Sequence, residues 1–520
     1  MSRFVLLWDA FGITQVNLSL ATSGSRTTDS TLKPGSVVHV TGTVIERPTK
    51  DVNKIAPKRI TVLNTPTVQL PFTDSLTTEV NEQVRLKFRF LDLRSEMLQR
   101  NLRFRSSFIL RMRQFLSKAY GNTYIMVLHH EQNPWEFVVP TRNSGLFYSL
   151  PQSPQQFKQL LMVGGIDRYM QIARCFRDEA SRADRQPEFT QLDLEMSFVS
   201  MEDIFQVIQN TLSACWDLIR KVKSDESADH PSFDRMKYQT CMSRFGTDKP
   251  DIRFEFSFCE PTKSDLIGFS VPASHAVFLS HSDWKKIRRS VKDASGSDIT
   301  SFKTAFAPSD FNELVDALQA NPDDYVVFIR GSSNSQKKSL GLARTEVAKM
   351  LHEKGDSIYK PGLHFLWVSD FPLFELDETG NLASVHHPFT APTEATLPLI
   401  YSEPLSVVGQ HYDLVCNGQE VGGGSIRIHD PQLQEYVLQD ILRENTEEME
   451  HFLLALRSGA PPHGGIALGL DRLISIFLDA NSIRDVIAFP KAAGGKDLMC
   501  GAPTMINDEY LELYKLKVIK

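Results

Sequence analysis

The chain lacks most of the features that would assign a class at once. Its 520 residues include only six cysteines, Cys175, Cys215, Cys241, Cys259, Cys416 and Cys500, with no CxxC pair. That usage excludes a disulfide framework and a structural zinc site, and it reads as a reducing compartment. No apolar run approaches the roughly 20 residues that a membrane span requires, so no membrane partner is expected. A Walker A string and a Ser/His/Asp arrangement are both missing, as are internal repeats and low-complexity tracts. A large excess of either sign is missing: 57 Lys+Arg against 63 Asp+Glu leave a net −6, which argues against non-specific coating of nucleic acid, although a local basic face decides such binding. The N-terminus enters a strand-like apolar pattern at once, with no Arg- and Ser-rich presequence or secretory h-region in the chain as written. The remaining composition, 41% hydrophobic and 23% charged, is that of an ordinary globular protein long enough for several domains.

Two short stretches carry the chemistry. Phe176-Arg177-Asp178-Glu179 returns through the polar loop 180–187 to Glu188-Phe189, a pattern that suits two antiparallel strands clamping a nucleotide. An arginine there can meet a phosphate or carboxylate in bidentate fashion, and the aromatic offers a flat face for a base. Far downstream, Gly469-Leu470-Asp471-Arg472 places glycine and small apolar residues before one arginine, which allows close approach of a phosphate. Either string alone could be a solvated strand end. Together and in this order they read as halves of one ATP site.

The patterning around them is mixed. Residues 4–8, 15–20, 37–44 and 60–63 read as short strands, the first two joined by a turn at 10–12, which suits a small barrel. Residues 85–113 carry nine arginines and lysines, a solvated helix face or an RNA-backbone contact, and a helix is expected through Lys118. Residues 155–163 read as helix, 168–177 and 189–198 as paired strands, and 202–223 as one long helix. Helical patterns at 310–318 and 340–353 fall in a stretch, 257–359, with no nucleotide motif.

These strings, with LPQSPQQFKQLL (150–161), FRDEASRADRQPEFTQLDLEMSF (176–198), GTDKPDIR (246–253), HHPFTAP (386–392), NGQEVGGGSIRIH (417–429) and PPHGGIALGLDRL (461–473), resemble the class II aminoacyl-tRNA synthetases. In detail they resemble the aspartyl type of bacteria and mitochondria. The resemblance implies an α+β fold: an antiparallel sheet flanked by helices, an N-terminal OB-fold barrel without its first strand, and an inserted α/β domain. It divides the chain into a truncated anticodon-binding OB-fold (1–72), a hinge (73–100), a first catalytic part (101–256), a bacterial-type insertion (257–361), and a second catalytic part with a C-terminal extension (362–520). It further implies a homodimer that charges tRNA-Asp with L-aspartate using ATP and Mg²⁺. The strings at 150–169 are closer to animal mitochondrial enzymes, which implies the mitochondrial matrix, with bacterial cytoplasm as the alternative.

Roles follow residue by residue from the same resemblance. Arg177 would bridge the substrate carboxylate and the α-phosphate, with Glu179 and Gln186 near the nucleotide and Phe189 stacked on adenine. Arg472, with Gly469, Leu470 and Asp471, would meet the distal phosphates. Asp413 and Glu420, seven residues apart around a turn at Asn417-Gly418, are either edge-strand carboxylates or Mg²⁺ ligands. Lys158 and Arg427 would hold the aspartate side chain, and Gln155 and Asp193 its ammonium. His386 and His387 are structural or lie near the substrate, and Gly422 to Gly424 mark a bulge or a close substrate approach. Phe4 and Gln15 would read the anticodon, while Thr61 stands where the family pattern has glutamate.

One stretch departs from the family. At 121–136, GNTYIMVLHHEQNPWE, motif 1 and the Gly-rich loop after it are not recognisable. A gene-model error, a divergent enzyme and a catalytically impaired RNA-binding paralogue all fit that gap. Asparaginyl-tRNA synthetase is the same-class rival, with the insertion and GTDKPD counting against it.

Overall fold

The computed structural model describes residues 4–9, 12–20, 32–45, 54–72, 80–121, 123–125, 137–178, 185–223, 230–261 and 264–519. Residues 10 and 11 of the expected turn, Glu179, and residues 122 and 126–136 lie outside them. The chain divides into two compact units: Met1–Ser107 with Glu179–Pro187 and Asn481–Lys520, and Phe108–Asp178 with Glu188–Ala480.

In the first unit β1 (Phe4–Asp9), β2 (Gly12–Asn17), β3 (Val37–Ile45) and β4 (Lys54–Asn64) form one sheet in the order β1-β2-β4-β3. The β2–β4 pair is parallel and the other two are antiparallel. The second strand begins earlier than expected, and Leu18–Leu20 coils into a 3-10 turn instead of extending it. β4 is longer than expected because Pro57, which has no N–H to give a ladder, falls at a register irregularity opposite Gly42.

The basic stretch 85–113 is divided: Arg85, Arg89 and Arg105 turn inward, whereas Lys87, Arg100, Arg103 and Arg113 are exposed. Arg89 is buried and donates to the carbonyls of Arg484, Ile487 and Ala488 at 2.8, 2.8 and 2.9 Å. Arg85 Nε meets Asp92 at 2.9 Å, and Arg105 donates to Val486 O at 3.2 Å. Buried carbonyls need donors, and a guanidinium supplies several in a fixed fork. The expected helix runs Glu96–Tyr120. In the second unit its Arg111 meets Asp217 at 3.2 Å.

The second unit holds β5 (Thr123–Tyr124), the hairpin β6 (Val138–Pro140) and β7 (Phe147–Ser149), β8 (Arg168–Phe176), β9 (Glu188–Ser197) and β10 (Phe233–Lys237). Next come β11 (Leu266–Val271), β12 (Thr300–Lys303), β13 (Tyr325–Arg330), β14 (Phe365–Ser369) and the hairpin β15 (Phe374–Leu376) and β16 (Leu382–Ser384). Last are β17 (His411–Cys416), β18 (Gln419–Ile426) and β19 (His463–Gly469). Eight of them form one sheet in the order β10-β14-β17-β18-β19-β9-β8-β5. Its centre is antiparallel, and the outermost pairs, β10–β14 and β5–β8, are parallel.

Strand side chains alternate between faces. On β9, Leu192, Leu194 and Met196 are fully buried on one side. That face receives helices: Phe205, on the helix Met201–Ala214, stacks on Trp367 of β14 at 4.1 Å. Ser200 and Asp203 start that helix with a capping box. The expected single helix 202–223 is in fact two, Met201–Ala214 and Trp216–Lys223, broken at Cys215.

Residues 254–359 build a core of their own, from Phe254 and Phe256 through Phe269, Trp284 and Val347 to Ile358. Its sheet has the order β11-β13-β12. The helix expected at 340–353 begins earlier, at Asn334, because Ser333 caps it, and the one expected at 310–318 runs Asn312–Ala317. All six cysteines are free.

Candidate active site

The opposite face of the large sheet is polar and lies directly over short side chains. Strand register puts Gln171, Asp193, Ala467, Gly423 and Asp413 in one row across β8, β9, β19, β18 and β17. A second row joins Tyr169, Glu195, Gly465, Ser425 and His411. Directly opposed residues of antiparallel strands share a face. The rows therefore form a floor of Gly, Ala and Ser rimmed by ionisable groups.

Two cations stand over this floor. Lys158, on the helix Gln155–Val163, is 2% exposed and lies 3.4 Å from Asp193 Oδ1 and 3.3 Å from Glu195 Oε2. Arg427, just past β18 and 1% exposed, donates from Nε to Glu195 Oε1 at 2.9 Å and from Nη2 to Oε2 at 3.2 Å. Its Nη1 donates to Ser425 Oγ at 2.7 Å and contacts His387 Nε2. Burial holds the Asp193 carboxyl above the usual carboxylate range, against the pull of Lys158. Burial would raise Glu195 as well, but Arg427 and Lys158 outweigh it and hold that carboxyl below the range. The expected cations thus sit on the expected carboxylate, Asp193, and on Glu195, which sequence reading passed over. Alternation in Gln191-Leu-Asp193-Leu-Glu195 against buried leucines was the signal that could have found it.

Several buried polar atoms here have no partner among the described residues: Asp193 Oδ2, Gln155 Nε2, Arg177 Nε and His411 Nδ1. Buried groups left unsatisfied cost free energy unless a ligand meets them. Arg177 follows β8 with its guanidinium 5.1 Å from the Phe189 ring centre, so these two residues of the first string do meet. Gln186, in the first unit, instead clasps the backbone of Lys491, accepting from its N at 2.7 Å and donating to its O at 3.0 Å. Of the downstream string, Leu470 is wholly buried and Asp471 accepts from Thr190 N at 2.8 Å. Both side chains are engaged within the protein and position the helix Leu470–Phe477. Arg472 Nη1 donates to Glu420 O at 2.7 Å.

Asp413 and Glu420 flank the turn as expected, with Asn417 at φ 49° and Gly418 at φ 79°. Their carboxylates converge on Gly423, where a Cβ would lie 2.6 Å from Asp413 Oδ1 and 3.6 Å from Glu420 Oε1. Among the described residues no cluster of three or more metal-ligating side chains forms. Two convergent hard oxygens fit Mg²⁺, which is commonly held by one or two carboxylates plus phosphates. Burial raises the Asp413 carboxyl, and Glu420 adds to it. The glycines pair on both sides as part of β18, and the register irregularity falls at the edge of the run: Leu414 pairs with Gly422 and Val415 with Glu420, so Val421 is the extra residue. Gly422 and Gly424 are needed for strand packing, since a Cβ on Gly424 would sit 2.1 Å from Gly465 O. Only Gly423 faces the carboxylates.

His386 stacks on His411 at 4.2 Å, and His411 Nε2 is 3.0 Å from Asp413 Oδ1. His387 is held well below the usual imidazole range by desolvation, and by His386 and Arg427 beside it. The unfolded chain therefore takes up a proton below about pH 6.5 that the folded chain refuses, and stability falls there by up to ~1.4 kcal/mol per pH unit. Asp193 and Asp413, raised by burial, act oppositely, their contribution being lost as pH rises. Urea midpoints at pH 7.5 and 5.5 isolate the histidine: His387→Gln should lose less stability over that interval than the parent. Equal losses would remove His387 as the cause.

In the first unit Phe4 is 44% exposed, and strand register places it on one sheet face with Gln15. Lys54, opposite Gln15 on β4, has its Nζ 5.2 Å from the Phe4 ring centre. Thr61 pairs with His39.

A largely antiparallel sheet with a floor of small side chains under two cations, an arginine over a phenylalanine and a convergent carboxylate pair suits a ligase that activates a carboxylate with a nucleotide. A family model described as tRNA synthetases class II (D, K and N) matches residues 81–493, and the chain belongs to that family. The mitochondrial aspartate–tRNA ligase of Rattus norvegicus is 40% identical, covering 99% of this chain and 85% of that protein. That of Homo sapiens is 41% identical over 93% of this chain and 81% of its own length. The aspartate–tRNA ligase of Porphyromonas gingivalis is 38% identical over 99% and 93%. Among solved structures, asparaginyl-tRNA synthetase from Pyrococcus horikoshii, complexed with asparaginyl-adenylate, aligns with a TM-score of 0.60 at 16% identity, covering 95% of this chain and 92% of that one. That likeness speaks for the fold alone.

Proposed function

We propose that the protein is an aspartate–tRNA ligase. An oxygen of the aspartate α-carboxylate attacks the α-phosphorus of ATP, the new P–O bond forms, and the bond to pyrophosphate breaks. A ribose hydroxyl at the 3′ end of tRNA-Asp then attacks the activated carbonyl, and AMP leaves. No protein nucleophile is needed, because positioning and electrostatics carry this chemistry. Arg177 meets the carboxylate and α-phosphate as the charge develops, Phe189 carries the base, and Arg472 meets the distal phosphates. Asp193 Oδ2 and Gln155 receive the ammonium end of aspartate. Mg²⁺ held by Asp413 and Glu420 would supply charge neutralisation to the phosphates.

The observation that carries the reading is the pair of buried cations, Lys158 and Arg427, over a floor of minimal side chains. Asparagine matches aspartate in shape but not in charge, and would leave this pocket mismatched. Sites built for a polar partner reject such analogues by roughly 10⁴-fold. The test is ATP–pyrophosphate exchange on the full chain with each amino acid. Exchange with aspartate at a kcat/KM roughly 10⁴-fold above asparagine is expected. Preference for asparagine would move the assignment to asparaginyl-tRNA synthetase. No exchange from the folded protein would favour the impaired RNA-binding paralogue.

The finer parts of the reading have separate supports. The sheet order β1-β2-β4-β3, with its one parallel pair, suits an OB-fold barrel short of one strand, with Phe4, Gln15 and Lys54 on a face suited to stacking and pairing with unpaired anticodon bases. The separate core of 254–359 supports the inserted domain at 257–361. The exposed Val138, Leu146, Phe147 and Tyr148 of the β6–β7 hairpin support a homodimer. The mitochondrial relatives favour the matrix over bacterial cytoplasm.

A further inference from the structure

The GTDKPDIR string brings a lysine to the carboxylate pair that the reaction above does not use. The segment follows the helix Tyr238–Phe245, ended by Gly246 at φ 66°, and packs onto the β17–β18 turn: a Cβ on Gly418 would lie 2.8 Å from Asp251 Cβ. The Lys249 N–H donates to Thr247 Oγ1 at 3.2 Å, so its backbone is held in place. Its Nζ lies 2.6 Å from Glu420 Oε2 and 3.9 Å from Asp248 Oδ2. Glu420 thus turns one oxygen, Oε1, toward Gly423 and Asp413, and gives the other to the lysine.

We propose that Lys249 is a positioning residue: it neutralises Glu420 while the cation site is empty, and it passes to a phosphate oxygen when a divalent cation arrives with the nucleotide. Two carboxylates aimed at one glycine repel each other, and in the free protein Lys249 on Glu420 offsets that repulsion, while His411 Nε2 lies 3.0 Å from Asp413 Oδ1. A bare cation must displace the lysine and leave it without a partner, so it gains little. A cation that comes with a polyphosphate supplies the lysine with a new anion, and both exchanges become favourable. Because coupling between ligands is reciprocal, the lysine should make cation and nucleotide each require the other. The inference rests on the reading of Asp413 and Glu420 as cation ligands.

Manganese binding followed by electron paramagnetic resonance tests it on the full chain, first without nucleotide and then with a non-hydrolysable ATP analogue. Lys249 is 38% exposed, so its pairing is partly screened; Lys249→Met should tighten Mn²⁺ binding without nucleotide about fivefold. The factor by which the analogue tightens Mn²⁺ should shrink in the same variant, and Lys249→Arg should keep the parent's behaviour. Damage to the fold would weaken binding in both conditions, which is the opposite sign. Unchanged or weaker Mn²⁺ binding by Lys249→Met overturns the proposal. Glu420→Gln separates the two readings: if it leaves Mn²⁺ binding with the analogue intact, the cation ligands themselves are misassigned and the proposal falls with them. If Glu420→Gln loosens the metal while Lys249→Met changes nothing, only the role of Lys249 is lost.

Discussion

Arg427→Lys should lower kcat/KM for aspartate in ATP–pyrophosphate exchange by on the order of 10³-fold while the protein stays folded. The guanidinium makes two parallel bonds to Glu195 and directs its remaining arm to Ser425 and His387. An ammonium on a flexible stem keeps the charge but cannot hold this planar fork. If Arg427 serves the amino acid as proposed, the loss should appear chiefly in KM for aspartate, with KM for ATP nearly unchanged. Arg427→Ala is the harsher form. It leaves Glu195 and Asp193 to share Lys158 alone and should cost about 3 kcal/mol of stability, the lower end of what breaking a buried ion pair usually costs. An unchanged KM for aspartate in Arg427→Lys would exclude Arg427 from the amino-acid pocket.

The second large effect is expected at Gly465. A Cβ there would lie 2.1 Å from Glu195 Oε2 and 2.2 Å from Leu194 O, and backbone cannot give way as a flexible side chain can. Gly465→Ala should therefore push Glu195 off Arg427 or part β19 from β9. We expect a stability loss of about 3 kcal/mol, read from urea unfolding, with aspartate-dependent exchange abolished. Gly469→Ala is the matched control, since the nearest atom to its Cβ would be Val421 O at 3.8 Å. It should change stability by less than ~0.5 kcal/mol. If glycine at 469 admits a phosphate, this second variant should still raise KM for ATP. A stable, active Gly465→Ala would show that the two strands can spread at no cost, contrary to their packing.

Much of this was legible before any coordinates. The helix Gln155–Val163 matched the expected bounds, because its apolar spacing and the Pro154 before it leave little choice. The pairing of β8 with β9 followed from two alternating runs around a polar loop. Lys158, Asp193 and Arg427 were picked out by resemblance, and they do lie within one charge cluster. Other points were not legible. Arg85, Arg89 and Arg105 resemble a free basic face in sequence, and nothing local reveals that carbonyls and a carboxylate near residues 484–488 would claim them.

The sequence by itself determined the family and singled out the strings at 176–189 and 469–472 and the residue types the site would need. Those properties depend on local order: periodicity, glycine placement and runs of neighbouring residues. Only the tertiary structure decided which charges meet. Glu195 and Arg427 are 232 residues apart and Lys249 and Glu420 are 171 apart (420 − 249), yet each pair is in contact. Strand register across β9, β19 and β18 places Glu195 and Glu420 for those meetings, and a shift of one residue would turn each carboxylate to the other face.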